Sequence, residues 1–159
     1  MKGPGWDHEI ANRIEKVSGV KATTTSTASV EGLMALGIQK VAVAASYPDD
    51  INQKLRGFLT GNGFAVTSMR GLGMKYSWDE GNVSSSLVFQ HAKSADTPEA
   101  DGLFIPDTAF PTIGILEKLE EDLGKPVVSA NQATMWKALA MAGVRQSMAG
   151  LGTLMRTHC

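Results

Sequence analysis

Four short apolar runs recur along this chain, and each leads into a segment with helical spacing. They are KVAVAA (residues 40–45), FAVTSM (64–69), DGLFIP (101–106) and PVVSA (126–130). Apolar runs this short, closed by turn residues, read as strands buried on both faces. Such strands pair in parallel and need helical crossovers to cover them. The spacers supply those helices. Ile51, Leu55, Phe58 and Leu59 share a face after the first run; Ile113, Leu116, Leu119 and Leu123 do so after the third, with Gly124 as the stop. Met135, Trp136 and Leu139 follow the fourth run, with Asn131 as the expected cap. Val83, Leu87 and Val88 suggest a modest helix in the less patterned stretch 74–100. KATTTS (21–26), short and β-branched, reads as a further strand. It lies between a helix carrying Ile10, Ile14 and Val17, capped by Asp7, and one carrying Val30, Leu33, Met34 and Leu36. The expected fold is α/β: a parallel sheet of about five strands with helices on both faces and right-handed crossovers.

Composition narrows the function classes. A chain of 159 residues with 43% apolar content can build one core. A net charge of −1 and the lack of a basic stripe argue against nucleic acid as partner. No apolar run approaches the ~20 residues of a membrane span, so no membrane partner is expected. The opening MKGPGWDHEI has no apolar signal core, and the single cysteine, Cys159, is the last residue. Together these fit a cytoplasmic protein. His8, His91 and His158 have no ligand spacing and read as surface residues, so no metal site is expected. The chain has neither a GxxxxGK[ST] loop nor a GxGxxG turn after a strand, which speaks against nucleotide binding. The EKLEED run (117–122) reads as the solvated face of its helix.

In an open parallel sheet, ligands bind beyond the carboxyl ends of the strands. That rule selects Thr24 to Ser26, Ser46 and Tyr47, Arg70 to Gly73, Asp107 and Thr108, and Ser129 to Asn131. Each loop is polar and leads towards a helix N-terminus, which suits anions such as carboxylates. Each is also what ordinary helix capping would place there.

Three segments in order, ATTTSTASVEGLMALG (22–37), VAVAASYPDDIN (41–52) and GKPVVSANQATMW (124–136), resemble the maleate cis-trans isomerase and arylmalonate decarboxylase group of the aspartate/glutamate racemase superfamily. The resemblance implies one lobe of a two-lobed racemase-type fold, with small dicarboxylates bound between lobes and no metal or organic cofactor. It assigns residues 1–20 as an N-terminal helix left from a first lobe, 21–130 as a racemase-like lobe, and 131–159 as a C-terminal helix and tail packing back. Tyr47 matches the family's carboxylate-binding tyrosine, and Thr25 and Ser26 fall in the hydroxyl-rich stretch entering the lobe. Asp107 stands where the second-lobe cysteine is expected in a pattern like I-S-C-T, and Thr108 keeps the following hydroxyl. The resemblance therefore implies Asp107 as the catalytic position and Tyr47, Thr108, Thr25 and Ser26 as substrate contacts.

Three readings stay open on this basis. One is a maleate isomerase-like protein acting on or binding small dicarboxylates, another an arylmalonate-type decarboxylase, and the third a truncated, non-catalytic carboxylate-binding lobe. Self-association as a homo-oligomer is expected through the helices that carry Trp6 and Trp136.

Overall fold

The computed structural model describes residues 5–157; Cys159 and His158 lie outside them. Four strands form one parallel sheet: β1 (Lys40–Ala45), β2 (Ala65–Gly71), β3 (Gly102–Ile105) and β4 (Val127–Ser129). Their spatial order is β2-β1-β3-β4. The helices are α1 (Trp6–Ser18), α2 (Thr25–Ala35), α3 (Asp49–Gly61), α4 (Ser77–Gly81), α5 (Ser85–Ala95), α6 (Leu116–Leu123), α7 (Ala130–Met141) and α8 (Gly152–Thr157). Among the described residues no helix is long and apolar enough to cross a membrane.

The run KVAVAA is apolar throughout because both faces of the sheet are covered. Val41, Val43 and Ala45 of β1 point to one face, where they meet Val30 and Leu33 of α2, Leu55 and Leu59 of α3, Ala133 of α7 and Leu154 of α8. Ala42 and Ala44 point to the other, against Val88, Ala92 and Ala95 of α5 and Leu116 and Leu119 of α6. The period-two alternation of a strand thus feeds two separate cores. On the edge strand, the pairing of β1 with β2 slips by one residue between Val41 and Ala42, as a bulge does at a sheet edge.

Connectivity fixes the place for a site. From β1 the chain moves out to β2 on one side; from β2 it crosses back over β1 to β3, then continues outward to β4. The direction of winding reverses between β1 and β3. At such a reversal the loops leaving the two central strands diverge to opposite faces and open a crevice at the strands' carboxyl ends.

Several expectations need correction. Residues 21–26 are not a strand, so the sheet has four strands rather than about five. Thr24 instead caps α2, its Oγ1 accepting from the Thr27 N–H at 3.1 Å. A threonine hydroxyl that can bond its own backbone competes with strand pairing. Asp7 does not cap α1, whose N-cap is Gly5; its carboxylate accepts from the Thr27 hydroxyl at 2.7 Å. The apolar residues of α1 do not all turn inward: Ala11 is buried, while Ile14 and Val17 are exposed. Ile113 is likewise exposed. Ser129 rather than Asn131 caps α7, in a reciprocal capping box with Gln132. The run EKLEED is not wholly solvated: Glu120 is buried and accepts from Val127 N, Thr153 N and Thr153 Oγ1.

Candidate active site

The residues that leave β1 and β3 meet at the carboxyl ends of those strands. Ser46 and Tyr47 follow β1; Pro106, Asp107 and Thr108 follow β3. Ser46 is fully buried, Asp107 nearly so, and Tyr47 half-buried, whereas Thr108 is exposed at the rim. The Ser46 hydroxyl bonds to Asp107 Oδ2 and lies 3.0 Å from Oε1 of Glu80 on α4. The other Asp107 oxygen accepts from the Ala109 N–H at 2.7 Å, an Asx turn that fixes the carboxyl at the strand end. The Tyr47 hydroxyl donates to the Pro106 carbonyl at 3.2 Å. The Tyr47 hydroxyl is thereby anchored to the residue that precedes Asp107.

The surrounding contacts set this geometry. Asn52, buried in α3, donates from Nδ2 to the Tyr47 carbonyl at 2.8 Å. The Met74 N–H donates to the Ser46 carbonyl at 2.8 Å, so the loop after β2 runs alongside Ser46. Asn131 donates from Nδ2 to the Thr108 carbonyl at 2.9 Å and ties the rim to the first turn of α7. His91, expected at the surface, is half-buried on α5 with Nε2 donating to the Ala45 carbonyl at 2.9 Å. Burial holds its imidazole below the ordinary range, against the opposing pull of the Ala45 and Arg70 carbonyls.

Thr25 and Ser26 begin α2, which runs back from the carboxyl end of the sheet to the start of β1. The Thr25 hydroxyl lies 3.2 Å from the Thr134 hydroxyl of α7. Among the described residues no hydrogen bond joins Thr25 or Ser26 to the Asp107 cluster. Sequence reasoning placed Ser46 in a candidate loop but gave it no role, and it passed over Glu80. In SWDEG, Asp79 and Glu80 are equally acidic, and nothing local says which one turns inward.

Burial raises the Tyr47 phenol above its ordinary value of 10.0, and the neighbouring Asp107 and Glu80 carboxyls add to the shift. The phenol is thus a hydrogen-bond donor at every pH the fold tolerates near neutrality. Because the folded state holds this proton more tightly than the unfolded chain, the contribution of Tyr47 to stability should be level below about pH 10 and fall as pH rises beyond it. Thermal denaturation of wild type and Tyr47→Phe across that range checks this. The Phe variant should lose stability less steeply, and parallel curves would contradict the proposed environment of Tyr47.

The arrangement gathers two hydroxyls and two buried carboxyls in one cluster, at the position where open α/β sheets bind ligands. The sequence pattern of the family described as "Arylmalonate decarboxylase" matches residues 1–155. The chain belongs to the arylmalonate decarboxylase family. Its similarity to individual members is moderate. It is 31% identical over 144 residues to arylmalonate decarboxylase of Bordetella bronchiseptica, covering 89% of this chain and 60% of that protein. It is 29% identical over 160 residues to maleate isomerase of Nocardia farcinica, covering 97% of this chain and 64% of that one. A solved structure of Nocardia farcinica maleate cis-trans isomerase, a cysteine-to-serine variant with a covalently bound succinylcysteine intermediate, superposes with a TM-score of 0.89 at 28% identity. That match covers 97% of this chain and 65% of the solved one. The chain spans about 60 to 64% of the length of these curated family members.

Proposed function

We propose that this chain acts on small dicarboxylates by proton transfer at Asp107, as a member of the isomerase and decarboxylase group with neither metal nor organic cofactor. The observation that carries the reading is the placement of Asp107. It is buried behind β3 at the winding reversal, bonded to Ser46, with the Tyr47 hydroxyl on the preceding carbonyl. Tyr47, turning its hydroxyl from the Pro106 carbonyl, and Thr108 would donate to one substrate carboxylate, and Thr25 and Ser26 would extend the contact from the start of α2.

The residue at 107 bears on which reaction this is. Maleate isomerisation through a covalent adduct needs a nucleophile that adds to a carbon–carbon double bond and leaves again. A thiolate does this well and a carboxylate poorly. A carboxyl group can instead deliver a proton. In a malonate-type decarboxylation, the bond to one carboxylate breaks, its electron pair enters the remaining carboxylate as an enediolate, and carbon dioxide leaves. The Asp107 proton would then pass to the carbon, and water would restore it. The carboxyl at 107 therefore favours decarboxylation over thiolate-type isomerisation.

The test compares wild type, Asp107→Asn and Tyr47→Phe with maleate and an aryl-substituted malonate, followed by NMR for binding and for product. Wild type should bind both acids, at about millimolar affinity or roughly −4 kcal/mol. Turnover of the malonate should fall ~100-fold or more in Asp107→Asn, and Tyr47→Phe should weaken binding of both acids. Wild-type turnover in Asp107→Asn would overturn the role of Asp107. Fast maleate isomerisation would overturn the thiol argument. Binding without any turnover would leave the carboxylate-binding lobe as the correct reading.

A further inference from the structure

Helix α4 has an inverted pattern. Of its residues Ser77, Trp78, Asp79, Glu80 and Gly81, Glu80 alone is buried, at 6% exposure, while Trp78 is 80% exposed. Turning a carboxyl inward and an indole outward is unfavourable unless the carboxyl finds partners. Its partner is the Ser46 hydroxyl, which also bonds to Asp107. Among the described residues no lysine, arginine or histidine forms an ion pair with either carboxyl. Ser46 is fully buried, so two carboxyls converge on a single hydroxyl inside the protein.

Counting hydrogens defines what this cluster holds. A hydroxyl has one proton and can donate one bond. With carboxyl oxygens on both sides of Ser46 Oγ, one contact is donated by Ser46, and the other is a hydrogen bond only if a carboxyl donates it. Without that extra proton, two anions would face one another across a buried oxygen with no cation between them, which is costly at low dielectric. The cluster is satisfied by two arrangements: Asp107–H donating to Ser46 and Ser46 to Glu80, or the reverse. They interconvert when each proton moves one bond along the chain. Burial and nearby carboxyls that keep the Tyr47 phenol protonated fit the same crowding of acidic groups.

We propose that Glu80 is the proton-supplying residue behind Asp107: the two carboxyls share one proton through Ser46, and Glu80 returns to Asp107 the proton it gives away. This rests on the reading of Asp107 as proton carrier. In the ready state the proton is on Asp107. When Asp107 gives it to the substrate carbon, both carboxyls are ionised. A proton from water then enters at Glu80, whose helix is otherwise exposed to solvent. Ser46 passes its own proton to Asp107 and takes the one on Glu80, which restores the ready state. One proton is consumed per decarboxylation, and no other reactant is needed. Glu80 thus acts through Ser46 and need not touch substrate.

Two measurements test the proposal. Infrared spectroscopy of the whole chain at neutral pH should show the C=O stretch of a protonated carboxyl as a difference between wild type and the double variant Glu80→Gln, Asp107→Asn. That band should shift in Ser46→Ala. Its absence from wild type overturns the proposal, and this holds even if the chain turns over no substrate, so a failure of the functional reading is told apart. The second measurement is turnover of the aryl-substituted malonate. Glu80→Gln should lower kcat about 10-fold or more with KM within about twofold, and Glu80→Met, which keeps length but carries no proton, should match it if the Gln variant folds poorly. An unchanged kcat in a folded Glu80 variant overturns the proposal, because a group that only filled space would leave proton delivery intact.

Discussion

Gly71→Ala is expected to destabilise the fold by about 2–4 kcal/mol and to displace Tyr47. Gly71 ends β2 and pairs with Ala45 at the end of β1. A Cβ built there would fall inside van der Waals contact of both Asn52 Nδ2 and the Tyr47 carbonyl oxygen. The requirement is for space alone, since the backbone of Gly71 is not left-handed. One obstacle is a side chain and can move, but Asn52 is buried, and moving it breaks its bond to the Tyr47 carbonyl. The other obstacle is backbone and can yield only by shifting the loop that carries Tyr47. For a domain this size, each kcal/mol lowers Tm by roughly 2–4 °C, so the shift should be easily seen. The double variant Asn52→Ala, Gly71→Ala separates the causes: it should recover part of the loss by freeing room, but not the part due to the carbonyl. A single Gly71→Ala variant with wild-type Tm and wild-type Tyr47 titration would show that the approach at the end of β2 is looser than described.

Glu120→Ala should cost still more, about 3–5 kcal/mol. The carboxylate of this α6 residue accepts from the Val127 N–H at 3.0 Å, from the Thr153 N–H at 2.8 Å and from the Thr153 hydroxyl at 2.8 Å. It thereby joins α6 to the first residue of β4 and to α8. Truncation leaves the buried Val127 N–H and the half-buried Thr153 donors without their acceptor, which is the expensive way to lose a hydrogen bond. Glu120→Gln should be intermediate: it keeps one carbonyl acceptor but turns an N–H₂ towards donors. Set against a usual total stability of about 5–15 kcal/mol, the alanine variant should be marginal. Urea denaturation gives the cost, and hydrogen exchange should show α8 opening before the sheet. A midpoint equal to wild type would mean that α8 is held by Leu154 and Met155, both buried, and that Glu120 contributes little.

Two carboxylates of one sequence run thus have different fates. Glu117 and Glu120 both lie in EKLEED, and a helical reading puts the charges on the outside. Glu120 is one position beyond Leu119 on the edge of the apolar stripe, so α8 can reach over it once the chain returns. Glu117 stays nearer solvent, paired with Arg156 at 3.2 Å. The sequence does not distinguish them, because the difference is made by where the start of β4 and the start of α8 come to rest, at Val127 and Thr153.

The parallel α/β architecture and its four strands follow from the chain's own pattern: β1, β3 and β4 are buried on both faces and need apolar runs with helical covers, while the β-branched and apolar residues of β2 suit a half-covered edge. The same pattern also determined that Tyr47, Asp107 and Thr108 stand at strand carboxyl ends, since that follows from where two of those runs stop. The family was legible in the same segments. That Thr24 caps a helix instead of joining the sheet emerges with packing, because a local hydroxyl–backbone bond and strand pairing compete and the neighbouring elements break the tie. Only the tertiary structure decided that Glu80 rather than Asp79 turns inward. The bonds of Ser46 to Glu80 and to Asp107 span 34 and 61 residues, and no local pattern records a meeting that depends on how α4 packs beside a sheet whose winding reverses between β1 and β3.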